Sequence, residues 1–191
     1  MGRGHGGSRG GGPGGGVSLG ATEAGQSAAL SKALLQREKQ IQGSGVENVA
    51  IFDENGNLLF QHTDNATNYV TYDGRIAHGN VHTHNHTNNT SFSPDDIVNT
   101  VKTDMREARV TTPTYTYSLK RPEKGWGVSK KKLESSLYGK SADLQWEMRK
   151  YISRYKGDKS VAIARAERMF THILTKQVAK EYGWSYTKRK S

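Results

Sequence analysis

The chain contains no cysteine, which excludes disulfide bonds, zinc sites built on thiolates and the zinc deaminases that hold their metal through cysteine. Only 33% of the residues are hydrophobic and the mean hydropathy is −0.79, so part of the chain is expected to lie outside a packed core. No apolar run approaches the roughly 18 residues that a membrane span needs. The N-terminus also lacks the apolar stretch of a secretory signal. These absences predict a cytoplasmic protein that does not associate with a membrane.

Acidic residues are scarce in the second half of the chain. Residues 1–100 hold 6 Lys/Arg and 9 Asp/Glu, whereas residues 101–191 hold 22 Lys/Arg and 9 Asp/Glu. The formal net charge of +10 therefore comes entirely from the C-terminal half. This asymmetry predicts an acidic partner for that half, either a nucleic acid or an acidic protein surface.

Composition and hydrophobic patterning divide the chain into three parts. Residues 1–22 begin with MGRGHGGSRGGGPGGG, and this glycine-rich composition predicts a flexible, disordered tail. Residues 23–127 mix helical and strand patterns, which predicts an α/β core. Residues 128–191 carry two long apolar stripes at helical spacing and many lysines and arginines, which predicts a basic helical extension.

The apolar pattern also predicts individual elements of the core. Helical spacing predicts a helix from Glu23 to Ile41. The stretch VENVAIFDENGNLLF predicts two strands joined by a hairpin turn at Glu54 to Asn57. Further strands are predicted over three segments, namely Asn68 to Tyr72, Ile76 to His84 and Val110 to Leu119.

Capping residues predict the ends of the remaining helices. Ser93 followed by proline predicts the start of a helix that runs to about Arg106, since serine is a good N-cap and proline suits the first helical position. In the C-terminal part, Ser160 is the N-cap candidate of the last helix. Gly183 is placed to terminate that helix.

Three alternating histidines lie in the stretch VHTHNHTNNTSFSPDDI, from Val81 to Ile97. Residues two apart on a strand point to the same side, so a His-x-His pair directs two imidazoles at one point. Two imidazoles and a carboxylate can form a three-ligand zinc site that leaves a position for water. Zinc lowers the pKa of that water to around 7, which makes hydroxide available at neutral pH. The stretch therefore predicts a zinc-dependent hydrolytic site.

Each role in such a site has a candidate residue. His84 and His86 supply the two imidazoles, and Asp96, on the first turn of the following helix, supplies the carboxylate. Glu47, at the start of a predicted strand, is the candidate general base and acid. Ser93 is the candidate donor to the oxyanion. Ser93 and Asp96 also suit a helix N-terminus, and those structural roles would exist without catalysis.

A glutamate near a strand, then His-x-His, a short loop and Ser-x-x-Asp resembles the JAMM (MPN-plus) metallopeptidases and the related RadC-like domains. The likeness runs from Glu47 to Asp96, and HNH followed by SFSPDDI is similar to bacterial and phage-associated members. The resemblance implies a cytidine-deaminase-like α/β/α fold over residues 23–127 and one zinc ion. It also implies hydrolysis of a peptide or isopeptide bond in a protein substrate, in phage head assembly or a related bacterial process.

The loop after the histidines departs from the pattern of that family. The pair His84 and His86 leaves six residues before Ser93, one fewer than is usual. The pair His82 and His84 leaves eight, one more than is usual, and surface loops tolerate such changes. We favour His84 and His86, because His-Asn-His is the common bacterial form and Thr87 then stands where the family has proline.

Two alternatives of other classes remain open from the sequence. One is a nucleic-acid-binding protein, which the basic half and the glycine/arginine tail favour. The other is a structural or assembly protein with a degenerate MPN-like fold, which the altered spacing and the absent proline favour. The resemblance implies a location in the cytoplasm of a bacterial cell or a phage-infected host.

Overall fold

The computed structural model describes residues 23–191, so the predicted disordered tail over residues 1–22 lies outside the described residues. The elements in chain order are α1 (Glu23–Ile41), β1 (Val49–Phe52), β2 (Leu58–His62), α2 (Gly74–Ala77), β3 (Val81–Asn85), α3 (Pro94–Lys102), β4 (Glu107–Thr111), β5 (Tyr115–Lys120), α4 (Lys130–Arg154), α5 (Lys159–Tyr182) and β6 (Ser185–Lys190). Among these residues, no helix combines the length and the apolar character needed to cross a membrane.

Six strands form one sheet in the order β2-β1-β3-β4-β5-β6. β3 and β4 are parallel, whereas the other neighbouring strands are antiparallel. Parallel neighbours need a crossover connection, and here the chain leaves the end of β3, passes through α3 and returns at the start of β4. The loop of residues 86–93 and the first turn of α3 therefore follow directly from the carboxyl end of β3.

Helices cover both faces of this sheet. On one face, Ala50 and Phe52 of β1 pack with Leu34 of α1. On the other face, Val49 and Ile51 of β1 belong to the larger core. The helices contribute buried side chains to this larger core, namely Ile97 of α3, Leu133 and Leu137 of α4, and Leu174 and Val178 of α5. The fold is thus α/β, as the sequence predicts.

Several predicted elements agree with the structure. α1 has the predicted bounds, Glu23–Ile41. β1 and β2 form the predicted hairpin, whose turn is tied by Asp53, because its carboxylate accepts the N–H groups of Asn55 and Asn57. Gly183 ends α5 with φ 70°, the left-handed conformation that glycine adopts without steric cost.

Two predicted strands in the middle of the chain are wrong in whole or in part. Residues 68–72 form no strand, and the N–H of Thr71 donates to the Asp64 carboxylate at 2.5 Å instead of to a neighbouring strand. The strand predicted from Ile76 begins only at Val81. Its first residues belong to α2, which Asp73 caps by accepting the N–H of Arg75. In both cases an aspartate side chain binds the backbone locally and competes with strand pairing.

Turns and caps shift three other predicted boundaries. The strand predicted from Val110 to Leu119 is two strands, β4 and β5, joined by a turn over residues 112–114 that contains Pro113. α3 ends at Lys102 instead of about Arg106, and Asp104 just beyond it has φ 53°. α5 begins at Lys159, because Asp158 is the N-cap in place of Ser160.

The C-terminal part contains a strand that the sequence pattern does not predict. β6 pairs with β5 along its whole length and completes one edge of the sheet. Its sequence, SYTKRK, is largely exposed and lacks the alternation of apolar and polar residues that marks a half-buried strand. Residues 128–191 are therefore not wholly helical, and they share one sheet and one core with the preceding residues.

Candidate metal centre

The histidine run lies on a central strand. β3 lies between β1 and β4, and all five of its residues are buried. The pairing continues one residue further, because the N–H of His86 donates to the carbonyl of Thr111 at 3.0 Å. His82, His84 and His86 consequently share one face of the sheet, with neighbouring ring centroids 5.0 and 4.8 Å apart.

The first turn of α3 brings the carboxylate of Asp96 to the same place. Ser93 is the N-cap of α3, and its Oγ accepts the N–H of Asp96 at 3.1 Å. In return, Asp96 Oδ2 accepts the backbone N–H of Ser93 at 2.7 Å, which completes a capping box. Pro94 at the first helical position fixes the backbone angle at which the helix begins. The cap therefore fixes the direction of the Asp96 side chain.

Three potential metal ligands converge at this point. The Nε2 atoms of His84 and His86 are 3.0 Å apart. Asp96 Oδ1 lies 3.5 Å from His84 Nε2, and Asp96 Oδ2 lies 3.4 Å from His86 Nε2. Tetrahedral ligands that are each about 2.0–2.1 Å from a metal ion are separated from one another by about 3.3 Å. The group of His84, His86 and Asp96 is thus close enough to hold a metal ion.

The second nitrogen of one ligand histidine has its own partners. His86 Nδ1 lies 3.3 Å from the carbonyl oxygen of Thr90 and 3.1 Å from its Oγ1. Because a carbonyl oxygen only accepts, Nδ1 carries the proton in this contact and Nε2 keeps a free lone pair for a metal. Thr90 Oγ1 in turn donates to Asn88 at 2.6 Å. The loop itself thus sets the orientation and the tautomer of His86.

Residues distant in sequence hold that loop in place. The N–H of Ser91 donates to Thr171 Oγ1 of α5 at 3.1 Å. Ser91 Oγ and the hydroxyl of Tyr186, on β6, form a hydrogen bond of 2.8 Å, and the same hydroxyl lies 2.8 Å from His172 Nδ1. Next to Ser91, the ring of Phe92 is fully buried. We call Ser91, Thr171, His172 and Tyr186 the loop clamp.

Glu47 lies across from the ligands, just before β1. Its side chain is buried, and Oε1 lies 4.0 Å from His86 Nε2. The backbone of Glu47 is fixed on both sides, since its N–H donates to the carbonyl of Ala66 and its carbonyl accepts from Thr63 Oγ1, each at 2.7 Å. A carboxylate at this distance can reach a water molecule bound next to His86.

The ligand group and Glu47 lie in the wall of one cavity of about 330 Å³. Tyr69, which is 56% exposed, and Tyr72 also line the cavity, and both belong to the segment over residues 68–72 that forms no strand. Ser93 also lines the cavity, although its Oγ donates to Asp96 Oδ2 at 2.8 Å. The cavity therefore brings the potential ligands, Glu47 and Ser93 to one shared space.

Burial and charge shift the pKa values of the acidic groups. Burial raises the pKa of Glu47, and the neighbouring imidazoles only partly oppose that rise. For Asp96, burial acts in the same upward direction, but the charges and hydrogen bonds of His84 and His86 outweigh it and hold the pKa well below its ordinary value. Asp96 is thus an anion that attracts positive charge to this point.

The pKa values of His86 and His82 are shifted in opposite directions. Burial lowers the pKa of His86, yet the hydrogen bond and charge of Asp96, with the charge of Glu47, raise it above its ordinary value. Burial and the neighbouring His84 lower the pKa of His82 to about 3, so this ring is neutral. Neither ring nitrogen of His82 has a hydrogen-bond partner among the described residues, and the ring lies 5.0 Å from that of Tyr72. The metal-binding group contains His84 and His86 and leaves His82 out.

Comparison with known proteins does not guide the assignment. No family model, curated protein or solved structure matches the chain. The chemistry of the site is therefore inferred from its own residues. Local sequence patterns predict the three potential ligands and Glu47 as site residues, but they do not predict the loop clamp, whose members are as much as 95 residues apart.

Proposed function

We propose that the protein is a zinc-dependent hydrolase of the JAMM type that cleaves a peptide or isopeptide bond in a protein substrate. One observation carries the proposal. The side chains of His84, His86 and Asp96 converge within 3.0 to 3.5 Å of one another, with the Glu47 carboxylate beside them in one open cavity. Three separate parts of the sequence contribute to this arrangement in the order that the JAMM pattern has.

Zinc is the metal that suits these ligands best. Two imidazoles and one carboxylate are a common ligand set of catalytic zinc, and such sites keep one position for water or substrate. Magnesium and calcium prefer sites built from oxygen atoms alone. The sheet with helices on both faces is compatible with a cytidine-deaminase-like core, which is the fold that the JAMM resemblance implies.

The protein's own residues have distinct tasks in this proposal. Zinc, when bound, would polarise the scissile carbonyl and acidify the attacking water. Glu47 takes a proton from that water and passes it to the departing amine, and its raised pKa favours this exchange near neutral pH. Asp96 holds its place through the capping box, and His86 through Thr90.

Ser93 has two tasks that compete for one hydroxyl proton. The Oγ atom donates to Asp96 and so fixes a ligand, whereas the JAMM resemblance assigns it to the developing oxyanion. Donation to the oxyanion requires the hydroxyl to turn away from Asp96 during the reaction. The backbone N–H of Ser93 still donates to Asp96 after that turn, so the ligand stays fixed.

The cavity and the resemblance both support a protein as the substrate. The cavity is open and lined mainly by polar side chains together with the rings of Tyr69 and Tyr72, which suits an extended peptide better than a small apolar molecule. A bacterial or phage setting, such as head assembly, is the biological context that the resemblance implies. In that context the protein works in the cytoplasm.

Metal content of purified protein tests the ligand assignment. We expect about one zinc ion per chain in the wild type and almost none in His84→Ala, measured by mass spectrometry of the metal. His62→Ala is the matched control, because His62 is exposed and lies outside the group. A wild type that takes up no zinc when supplied with it would contradict the proposal and favour the assembly-protein alternative.

Cleavage of a peptide library tests the catalytic assignment. Incubation with proteome-derived peptides, and with peptides that carry an isopeptide branch on lysine, should create new termini detectable by mass spectrometry. Glu47→Gln should abolish these products while zinc stays bound, since the amide cannot take the proton. Glu54→Gln, on the exposed hairpin turn, should retain them. Equal cleavage by Glu47→Gln and the wild type would remove Glu47 from the mechanism.

A further inference from the structure

The outer face of α4 is exposed along the whole helix. Seven positions recur at intervals of three or four residues and so lie on one face. They are Lys131, Ser135, Tyr138, Ala142, Trp146, Arg149 and Ser153, and all seven are exposed. We call these residues the α4 outer face. At a rise of 1.5 Å per residue the face is about 33 Å long.

This face carries positive charge and no acidic residue. Lys131 and Arg149 lie on it, and neither forms an ion pair with another described residue. Lys150 flanks it and lies 5.7 Å from the Trp146 ring, although it also pairs with Glu147. The three acidic residues of α4 lie to the sides, whereas the helix as a whole holds seven lysines and arginines.

Two large aromatic side chains are exposed on the same face. Tyr138 is 80% exposed and Trp146 is 62% exposed, which makes them the two most exposed large hydrophobic residues in the described part of the chain. They are eight residues apart, or about 12 Å along the helix axis. No Leu, Ile, Val or Met accompanies them on the face, so the two rings are its only large apolar groups.

We infer that the α4 outer face binds a single-stranded nucleic acid. Exposed aromatic rings on a basic surface stack unpaired bases, while lysine and arginine neutralise the phosphates. Tyr138 and Trp146 provide the stacking rings, and Lys131 and Arg149 provide the charge on either side of them. A double helix keeps its bases stacked inside, so it uses only the charges.

This binding surface is independent of the metal centre. The residues of α4 that enter the core are Leu133, Leu137 and Leu144, on the opposite side of the helix. No residue of the α4 outer face lines the cavity of the metal site. Nucleic-acid binding therefore does not depend on zinc, and either proposal can fail without the other.

Fluorescence anisotropy with labelled oligothymidylate, oligouridylate and a duplex of the same length tests the inference over a range of salt concentrations. The single strands should bind more tightly than the duplex, with affinity falling linearly on a log–log plot against salt. Arg149→Glu should weaken binding by roughly tenfold and make the salt slope shallower by about 1. Lys39→Glu, which makes the same charge reversal at an exposed position of α1, should change the affinity much less.

Variants of Trp146 distinguish the contribution of base stacking to binding from that of charge. Trp146→Ala should weaken single-strand binding by roughly fivefold or more, whereas Trp146→Phe should retain most of it. Three results would overturn the inference: no binding at low salt, equal losses in Arg149→Glu and Lys39→Glu, or equal affinity of the protein for polyglutamate. The last result would point to an acidic protein partner instead.

Discussion

The candidate metal centre and the α4 outer face differ in how their polar side chains are held. In the metal centre, Asp96 is fixed by a capping box and His86 by Thr90, within the protein. On the α4 outer face, Lys131 and Arg149 have no ionic partner among the described residues. Fixed ligands suit a small ion with strict geometry, whereas free side chains can follow a flexible polymer. We therefore expect mutations in the candidate metal centre to change metal binding, and mutations on the α4 outer face to leave metal binding and stability nearly unchanged.

Replacing Asp96 should have the largest effect and should separate its two roles. Asp96→Asn should lose zinc while retaining the helix cap, because the amide oxygen can still accept from Ser93. Asp96→Ala should lose zinc and also cost about 1 kcal/mol of stability, because the Ser93 N–H loses its acceptor in the capping box. Metal analysis and chemical denaturation measure the two effects. Retention of zinc in both variants would remove Asp96 from the centre.

Zinc itself should stabilise the fold by an amount set by its affinity. At a hundredfold excess of free zinc over its Kd, we expect about 2.7 kcal/mol, because the ion binds the folded chain. Thermal unfolding with zinc and with a chelator measures this difference. His84→Ala should show no such difference, whereas Trp146→Ala should show all of it. A zinc effect of the same size in His84→Ala would place the ion elsewhere.

Removal of the Tyr186 hydroxyl should lower the zinc affinity of the site without abolishing zinc binding. In Tyr186→Phe, Ser91 Oγ and His172 lose their common partner, so the loop that orients His86 is held less firmly. We expect a loss of zinc affinity of roughly tenfold, as is typical for groups that orient a metal ligand. Competition with a chromophoric chelator measures it. Tyr151→Phe, which removes a hydroxyl without a hydrogen bond among the described residues, should keep the wild-type affinity.

Mutation of the α4 outer face should have the smallest effect on the folded protein. Trp146→Ala and Arg149→Ala should each change the free energy of unfolding by less than about 0.5 kcal/mol, since both side chains are exposed. Zinc affinity should stay at the wild-type value. Denaturation and metal titration check both points. A large loss of stability in either variant would show that the face is structural.

The sequence predicts local features well because their causes are local. Helical spacing of apolar residues predicts α1, and Gly183 predicts the end of α5. Alternation on β3 followed by a capped helix predicts the group of potential metal ligands. Each of these depends on residues within one or two turns or strands. Glu47 Oε1 lies 4.0 Å from His86 Nε2, which is compatible with the role that the sequence pattern gives to Glu47.

The features that the sequence does not predict depend on distant partners. β6 forms a strand because its backbone pairs with β5 at the edge of the sheet. Its own residues, SYTKRK, show no strand pattern. Residues 68–72 form no strand, because Asp64 binds Thr71, and four of the five residues line the cavity. The loop clamp joins residues from the loop, α5 and β6, so only the folded chain brings them together.

The distance along the chain between Ser91 and Tyr186 has a consequence for biosynthesis. These partners are 95 residues apart, and a ribosome that adds 5–20 residues per second needs roughly 5–20 s to pass from one to the other. During that interval the chain contains both histidines and the aspartate but not yet β6, whose Tyr186 holds the loop that joins them. The candidate metal site would therefore reach its full affinity only after β6 has joined the sheet.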